Sequence, residues 1–148
     1  MSSPEREIAL TELSDRISAT TGIQFSGRNL EKEPSVNDMP CALIYELGDK
    51  IVSTTMRGGY PAYKRELAVI VEIFISGSSE GAASKELSAF VTEVKKKIFE
   101  GGTNMGRKCS EIVETEASQI YRPSIGGNAI GMGIAFDIKY IENVQNLF

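Results

Sequence analysis

Histidine is absent from the 148 residues, and cysteine occurs only twice, at Cys41 and Cys109. Without an imidazole, the chain can form neither a histidine-based catalytic site nor a histidine-based zinc site. The two cysteines favour a pair of buried, reduced thiols, with a disulfide or a shared metal as the alternative. Neither residue type points to catalysis.

Long apolar runs and an excess of basic residues are also missing. No stretch approaches the roughly 20 apolar residues of a membrane-spanning helix, and residues 1–15 lack the apolar core of a secretory signal. The net charge of −4 argues against a nucleic-acid binder. We therefore expect a cytoplasmic protein without membrane contact. The length predicts a single domain over residues 1–148.

The stretch that organises the chain is 63–75, with the sequence YKRELAVIVEIFI. Its apolar residues occupy every second position, which predicts a strand rich in β-branched side chains. The residues on this apolar face are Leu67, Val69, Val71, Ile73 and Ile75. This stretch has 13 residues, whereas most strands have about five or six. We therefore expect it to be central in the sheet or to form half of a projecting hairpin.

Two segments show helical spacing of apolar residues, at about 4–20 and 81–100. Ser3-Pro4-Glu5 supplies a capping hydroxyl, a proline and an acid at the start of the first helix. Lys95, Lys96 and Lys97 are interpreted as solvated cations near the end of the second helix, not as a DNA or phosphate contact. The two apolar stripes are Ile8, Ala9, Leu10, Leu13 and Ile17, and Ala83, Leu87, Phe90, Val91, Val94 and Ile98.

Further strands are predicted at about 41–47, 109–120 and 129–141, with a short additional candidate at 23–28. In the last of the long strands, Gly131 and Gly133 leave one face bare, which predicts close approach of a helix, another backbone or a subunit. The whole pattern predicts an α+β fold. We expect an antiparallel sheet of about five or six strands, with both helices packed on one face and the other face free.

Residues 48–62 connect two predicted strands and include Gly58-Gly59-Tyr60-Pro61. If these strands are antiparallel, the connection is a long hairpin loop with basic residues nearby. Long loops in compact domains are uncommon and often functional. A solvated, floppy hairpin tip is the alternative.

Residues 101–108 superficially resemble a phosphate-binding loop. Arg107-Lys108 stands where that motif requires lysine followed by serine or threonine, and a helix precedes the loop where a strand is required. A serine activated by lysine is the remaining catalytic option, and no pattern singles one out. We therefore predict no catalytic, cofactor-binding or metal site, and a protein that is not an enzyme.

The order of segments along nearly the whole chain is similar to that of a known protein family. A helix ending at Thr21-Gly22 is followed by Phe25–Arg28 and by an acidic loop that runs into Asp38–Tyr45. A long hairpin then leads into Glu66–Ile75, a central helix follows, and Gly131–Tyr140 closes the chain as Gly-x-Gly-Ile-x-Phe-x-Ile-x-Tyr. This layout resembles the tail terminator, or tail completion, proteins of long-tailed bacteriophages and the related neck and connector proteins.

The resemblance implies a structural virion protein, assembled in the host cytoplasm and located in the neck of the tail. It would form a homohexameric ring that caps the tail tube, ends its polymerisation and joins it to the connector of the head. The implied partners are the tail-tube protein and a connector or neck protein. DNA would pass through the lumen without specific binding, and an acidic chain suits this because it does not retain phosphates. A neighbouring neck protein, a non-viral binding or scaffolding module, and a small enzyme remain alternatives.

The residues that form the interfaces are predicted in order of priority. The hairpin between Lys50 and Tyr63 comes first, because tyrosine and arginine are enriched in interface hot spots. Arg28 and the acidic loop come second, and the apolar C-terminal pair is expected to dock on a neighbour. An ordinary surface role is the alternative for each residue. The candidates are Arg57, Tyr60, Tyr63, Arg28, Glu31, Asp38, Leu147 and Phe148.

Overall fold

The strand predicted to organise the chain is the third of five in a single sheet. A computed structural model describes residues 4–30, 34–77, 80–123 and 129–148. The elements in chain order are α1 (Pro4–Ser18), β1 (Phe25–Arg28), a 3-10 turn (Val36–Asp38), β2 (Cys41–Arg57), β3 (Tyr60–Ser76), α2 (Glu80–Ile98), β4 (Glu111–Ala117), β5 (Ala129–Asn143) and a C-terminal 3-10 turn (Val144–Leu147).

The sheet has the strand order β1-β2-β3-β5-β4, and with its two helices it confirms the α+β class. Three strand pairs are antiparallel, but β1 and β2 run parallel. The prediction of a wholly antiparallel sheet is therefore wrong at β1. Parallel neighbours need a connection long enough to return the chain, and residues 29–40 provide it.

The main core lies between one face of the sheet and both helices. All five residues of the predicted β3 face are buried there, and so is the complete predicted stripe of α2. In α1 the buried residues are Ala9, Leu10, Leu13 and Ile17, whereas Ile8 is exposed. The helical period thus identified the packed faces, with one extra residue assigned to the α1 stripe.

The opposite face of the sheet was predicted to be free, but it is covered near the glycines of β5. A second cluster of Met39, Cys41, Leu43, Phe74 and Ala129 is buried there. A Cβ atom on Gly131 would lie 2.6 Å from Cδ1 of Phe74. The Phe74 ring, which meets the edge of Tyr121 at 6.0 Å, therefore fills the space above Gly131. The predicted close approach comes mainly from this side chain of the neighbouring strand, and the backbone carbonyl oxygen of Ile73 would also lie 3.3 Å from the added Cβ. Approach of a second subunit to this face stays a prediction.

The two cysteines are free thiols on opposite faces of the sheet. Cys41 belongs to the second cluster, and Cys109 belongs to the main core. Burial raises the pKa of the Cys41 thiol to about 12 and that of Cys109 to about 11. The alternative of a disulfide or a shared metal between them does not fit this separation.

Residues 48–62, predicted as a loop, instead extend the two flanking strands. β2 and β3 pair from Cys41 opposite Phe74 to Arg57 opposite Tyr60, and Gly58-Gly59 forms the turn between them. Both glycines have positive φ values, +58° and +83°, as a two-residue hairpin turn requires. That this strand pair projects from the domain stays a prediction.

The other boundaries differ by one to three residues. The helices end at Ser18 and Ile98, before the predicted 20 and 100. β4 is shorter than the predicted 109–120, and β5 extends two residues beyond the predicted 141. Among the described residues, no helix combines the length and apolar character needed to cross a membrane.

Candidate interaction surface

The end of the β2–β3 pair, residues 50–65, is called the tip here. Every residue from Lys50 to Tyr60 is exposed, so neither face of the β2 end packs on a core, whereas Ala62 of the paired β3 segment is buried. Three large apolar side chains lie in this stretch, with exposed fractions of 48% for Ile51, 55% for Val52 and 65% for Met56. Clustered exposed apolar side chains mark sites of protein interaction.

The outer edge of β2 is open over most of its length. β1 covers Cys41 to Ile44, and Asn29 Oδ1 accepts a hydrogen bond from the Glu46 amide at 3.0 Å. From Leu47 to Arg57, no other strand of the described ranges pairs with this edge. Exposed strand edges are sites where another chain can add a strand.

The last five residues of β2, from Ser53 to Arg57, form the regular part of this edge. Bulges interrupt the pairing before them, between Glu46 and Asp49 and between Ile51 and Ser53. Arg57 and Tyr60 flank the two-residue turn and bond to each other, so alternation directs the N–H and C=O groups of Thr54 and Met56 outward. These two residues therefore present backbone groups that a partner can bind.

The tip is basic within an acidic protein. Residues 50–65 contain four basic residues and no acidic residue, whereas the whole chain has a net charge of −4. Lys50 lies 3.5 Å from Glu66, and Arg65 lies 2.8 Å from Glu142. Arg57 makes a 3.4 Å hydrogen bond to the neutral side chain of Asn143. The charge of Arg57 thus stays available at the surface.

The structure brings four of the predicted interface residues together at the tip. The rings of Tyr60 and Phe148 have centroids 5.5 Å apart, and Arg57 bonds Asn143 just before the C-terminal turn. Leu147 is exposed in the same terminal segment, and Phe148 keeps 91% of its surface exposed. Sequence reasoning placed these residues in two separate surfaces. Docking of the C-terminal pair on a neighbour stays a prediction.

Of the remaining predicted residues, Tyr63 also lies within the tip, on β3, and the others lie elsewhere. The guanidinium of Arg65 lies 5.3 Å from the centroid of the Tyr63 ring. Arg28 donates to Glu7 and Glu46, and the Asp38 carboxylate accepts bonds from the backbone and hydroxyl of Ser35. Glu31 lies outside the described residues. Tyr63, Arg28 and Asp38 therefore already have partners within the chain.

An ionic network that the sequence did not predict holds α1 against the base of the tip. Arg6 donates to Glu46 at 2.7 Å and to Asp49. Asp49 also accepts the hydroxyl of Tyr140 and lies 3.7 Å from Arg65. Burial is the larger cause and the hydrogen bond to Asp49 the second, and both raise the pKa of Tyr140 well above its ordinary value. The residues of this ionic network are far apart in the sequence, so no local motif could reveal them.

Glu46 is the carboxylate of this network with the clearest pH dependence. Bonds from Arg28, then from Arg6 and Asn29, lower its pKa from 4.5 to about 2 against the opposing effect of burial. The folded state therefore binds fewer protons than the unfolded state between these two values. The stabilisation that Glu46 provides is complete above about pH 4.5 and is lost as the pH falls toward 2.

Glu46→Gln is thus expected to be less stable than the wild type at pH 7, with a difference that shrinks as the pH falls through 4 toward 2. Urea unfolding at a series of pH values measures this difference. Glu86→Gln, on an exposed position of α2, is the control and should change the free energy of unfolding little at any pH. A pH-independent difference for Glu46→Gln would contradict the assignment.

The chain matches no protein-family model and no curated protein. Within the described ranges, no group of three histidine, cysteine, aspartate or glutamate side chains is arranged to hold a metal ion. The surface feature that the geometry defines best is the tip, with its apolar side chains, basic charge and open edge.

Proposed function

We propose that this chain is a structural virion protein that resembles a phage tail terminator. Six identical subunits form a ring that caps the tail tube, ends its polymerisation and joins it to the head connector. The tip is the observation that carries this proposal. It combines exposed apolar side chains, four basic residues and an open strand edge in one place.

Two further arguments support a ring. The elements follow the order on which the resemblance rests, with α1, the short strand that ends at Arg28, the long β2–β3 pair, α2 and the closing strand β5. A ring also needs two different, complementary surfaces on each subunit. The tip supplies one such surface at one edge of the sheet.

The size of the apolar surface suggests how the ring forms. Full burial of one large apolar side chain contributes about 1.5–3 kcal/mol, so the exposed halves of Ile51, Val52 and Met56 offer roughly 1 kcal/mol each. Joining two molecules costs about 4–15 kcal/mol. Isolated pairs should therefore be weak, and closure of the ring or a tube end should be needed to stabilise the assembly.

Negative-stain microscopy of the purified protein across a concentration series tests this function. Six-fold rings around a hole are expected at high concentration, or caps on the ends of added tail-tube polymers. Met56→Ser should weaken both, whereas Ile8→Ser, at an exposed apolar residue on α1, should not. Monomers at every concentration, together with uncapped tubes, would contradict the proposal and favour a non-viral binding module. Rings that bind a connector but no tube would indicate a neighbouring neck protein.

A further inference from the structure

The second open edge of the sheet belongs to β4. The Ile112 amide donates to the carbonyl oxygen of Thr103 at 2.7 Å, so the preceding loop covers the start of this edge. Strand alternation directs the backbone groups of Glu114 to the same outer side. In the part of the chain that the structure describes, no strand covers the edge from Val113 to Ala117. This free stretch has five residues, as many as the regular edge of the tip from Ser53 to Arg57.

The charge of β4 is opposite to that of the tip. Residues 111–117 contain three glutamates and no basic residue. Glu111 pairs with Lys139 at 3.3 Å, and Glu114 pairs with Lys95 at 2.8 Å. Glu116 is exposed and forms no ion pair with any residue of the described ranges. Among the described residues, the β4 edge therefore carries one carboxylate, that of Glu116, whose charge has no partner.

The two edges lie at opposite sides of the sheet and face away from each other. They cannot meet within one molecule, but they can meet between two copies placed head to tail. A head-to-tail contact repeats and closes into a ring when the rotation permits. A contact between two tips would instead bring two sets of four basic residues together, and like charges at about 4 Å repel by roughly 1–4 kcal/mol per pair near a protein surface.

We propose that the tip of one copy docks on the β4 edge of the next copy, with Arg57 facing Glu116. This inference rests on the proposed ring. The outward backbone groups of Thr54 and Met56 then face those of Glu114, and the Met56 side chain becomes buried. A bulge between Glu114 and Glu116 interrupts the edge. The ion pair and the apolar contact therefore contribute more to the specificity than a long backbone ladder.

Charge reversal tests the contact. Arg57→Glu and Glu116→Arg are each expected to raise the concentration for ring formation roughly tenfold or more, measured by sedimentation and microscopy. Each variant alone places like charges at every contact. The double variant restores opposite charges at every contact and should form rings like the wild type. An equimolar mixture of the two single variants should also form rings, because alternating copies are complementary at both edges.

Two control measurements check that the variants fold normally and that the effect is specific to this contact. Both side chains are exposed, so thermal unfolding of each variant should stay close to that of the wild type. Lys85→Glu, an exposed reversal on α2, should leave ring formation unchanged. Normal rings from Glu116→Arg, or no rescue in the double variant and the mixture, would overturn this contact while the ring function stands. A wild type that forms neither rings nor tube caps would overturn the ring function and this contact together.

Discussion

Replacing Asp49 by alanine is expected to lower the free energy of unfolding by about 2–3 kcal/mol. The Asp49 side chain is 15% exposed and accepts bonds from Arg6 and from the Tyr140 hydroxyl. Breaking a buried ion pair costs about 3–5 kcal/mol, because the remaining charge is left without its partner. Arg6 keeps Glu46 and Arg65 keeps Glu142, which places the expected loss at or just below the low end of that range.

Lys50→Ala is the matched control at the next position. The Lys50 side chain is 74% exposed and lies 3.5 Å from Glu66, and exposed pairs of this kind contribute about 0–1 kcal/mol. Urea unfolding followed by circular dichroism measures both variants. If Asp49→Ala loses no more stability than Lys50→Ala, the network does not hold α1 against the strands in the way that its geometry indicates.

The elements that face the main core were predictable from the sequence. β3 and α2 each bury one face, so burial imposes a period of two or 3.6 residues on their apolar positions. The end of β2 escapes this signal because both of its faces are exposed, and its Ser53-Thr54-Thr55 run shows no alternation. Gly58-Gly59 was the available signal, since two adjacent glycines between extended segments favour a two-residue turn.

The candidate surface was predictable in part. Arg57 and Tyr60 were identified from residue type alone, because arginine and tyrosine are common in interfaces. The contact between Tyr60 and Phe148 depends on how β3 and β5 pair, which no local pattern specifies. The same holds for Glu116, because its lack of an ion pair becomes visible only when the neighbouring strand is in place.

Gly131→Ala is expected to lower the free energy of unfolding by about 1–3 kcal/mol. In an open strand, alanine is the better residue by roughly 0.5–1 kcal/mol, because glycine loses more backbone entropy on folding. At this position the added Cβ would lie 2.6 Å from one atom of the Phe74 ring and 2.7 Å from another. Phe74 is itself buried in the second cluster, so the overlap cost should exceed the entropic gain.

Gly133→Ala provides the comparison two residues along the same face. An added Cβ there would meet Ile70 at 3.5 Å and Ser118 at 3.7 Å, which are ordinary contact distances. This substitution is therefore expected to be neutral or stabilising by up to about 1 kcal/mol, the opposite sign to Gly131→Ala. Denaturant unfolding of both variants decides the sign at each position.

A double-mutant cycle identifies the cause of the loss at Gly131. Phe74→Leu removes the ring that occupies the space above this glycine, so Gly131→Ala should cost less in that background than in the wild type. The coupling between the two positions is then favourable, because the smaller side chain accommodates the new methyl group. Equal costs in both backgrounds would mean that the backbone, and not the Phe74 ring, requires glycine. The bare face of β5 would then need a different explanation from the side-chain packing seen in this sheet.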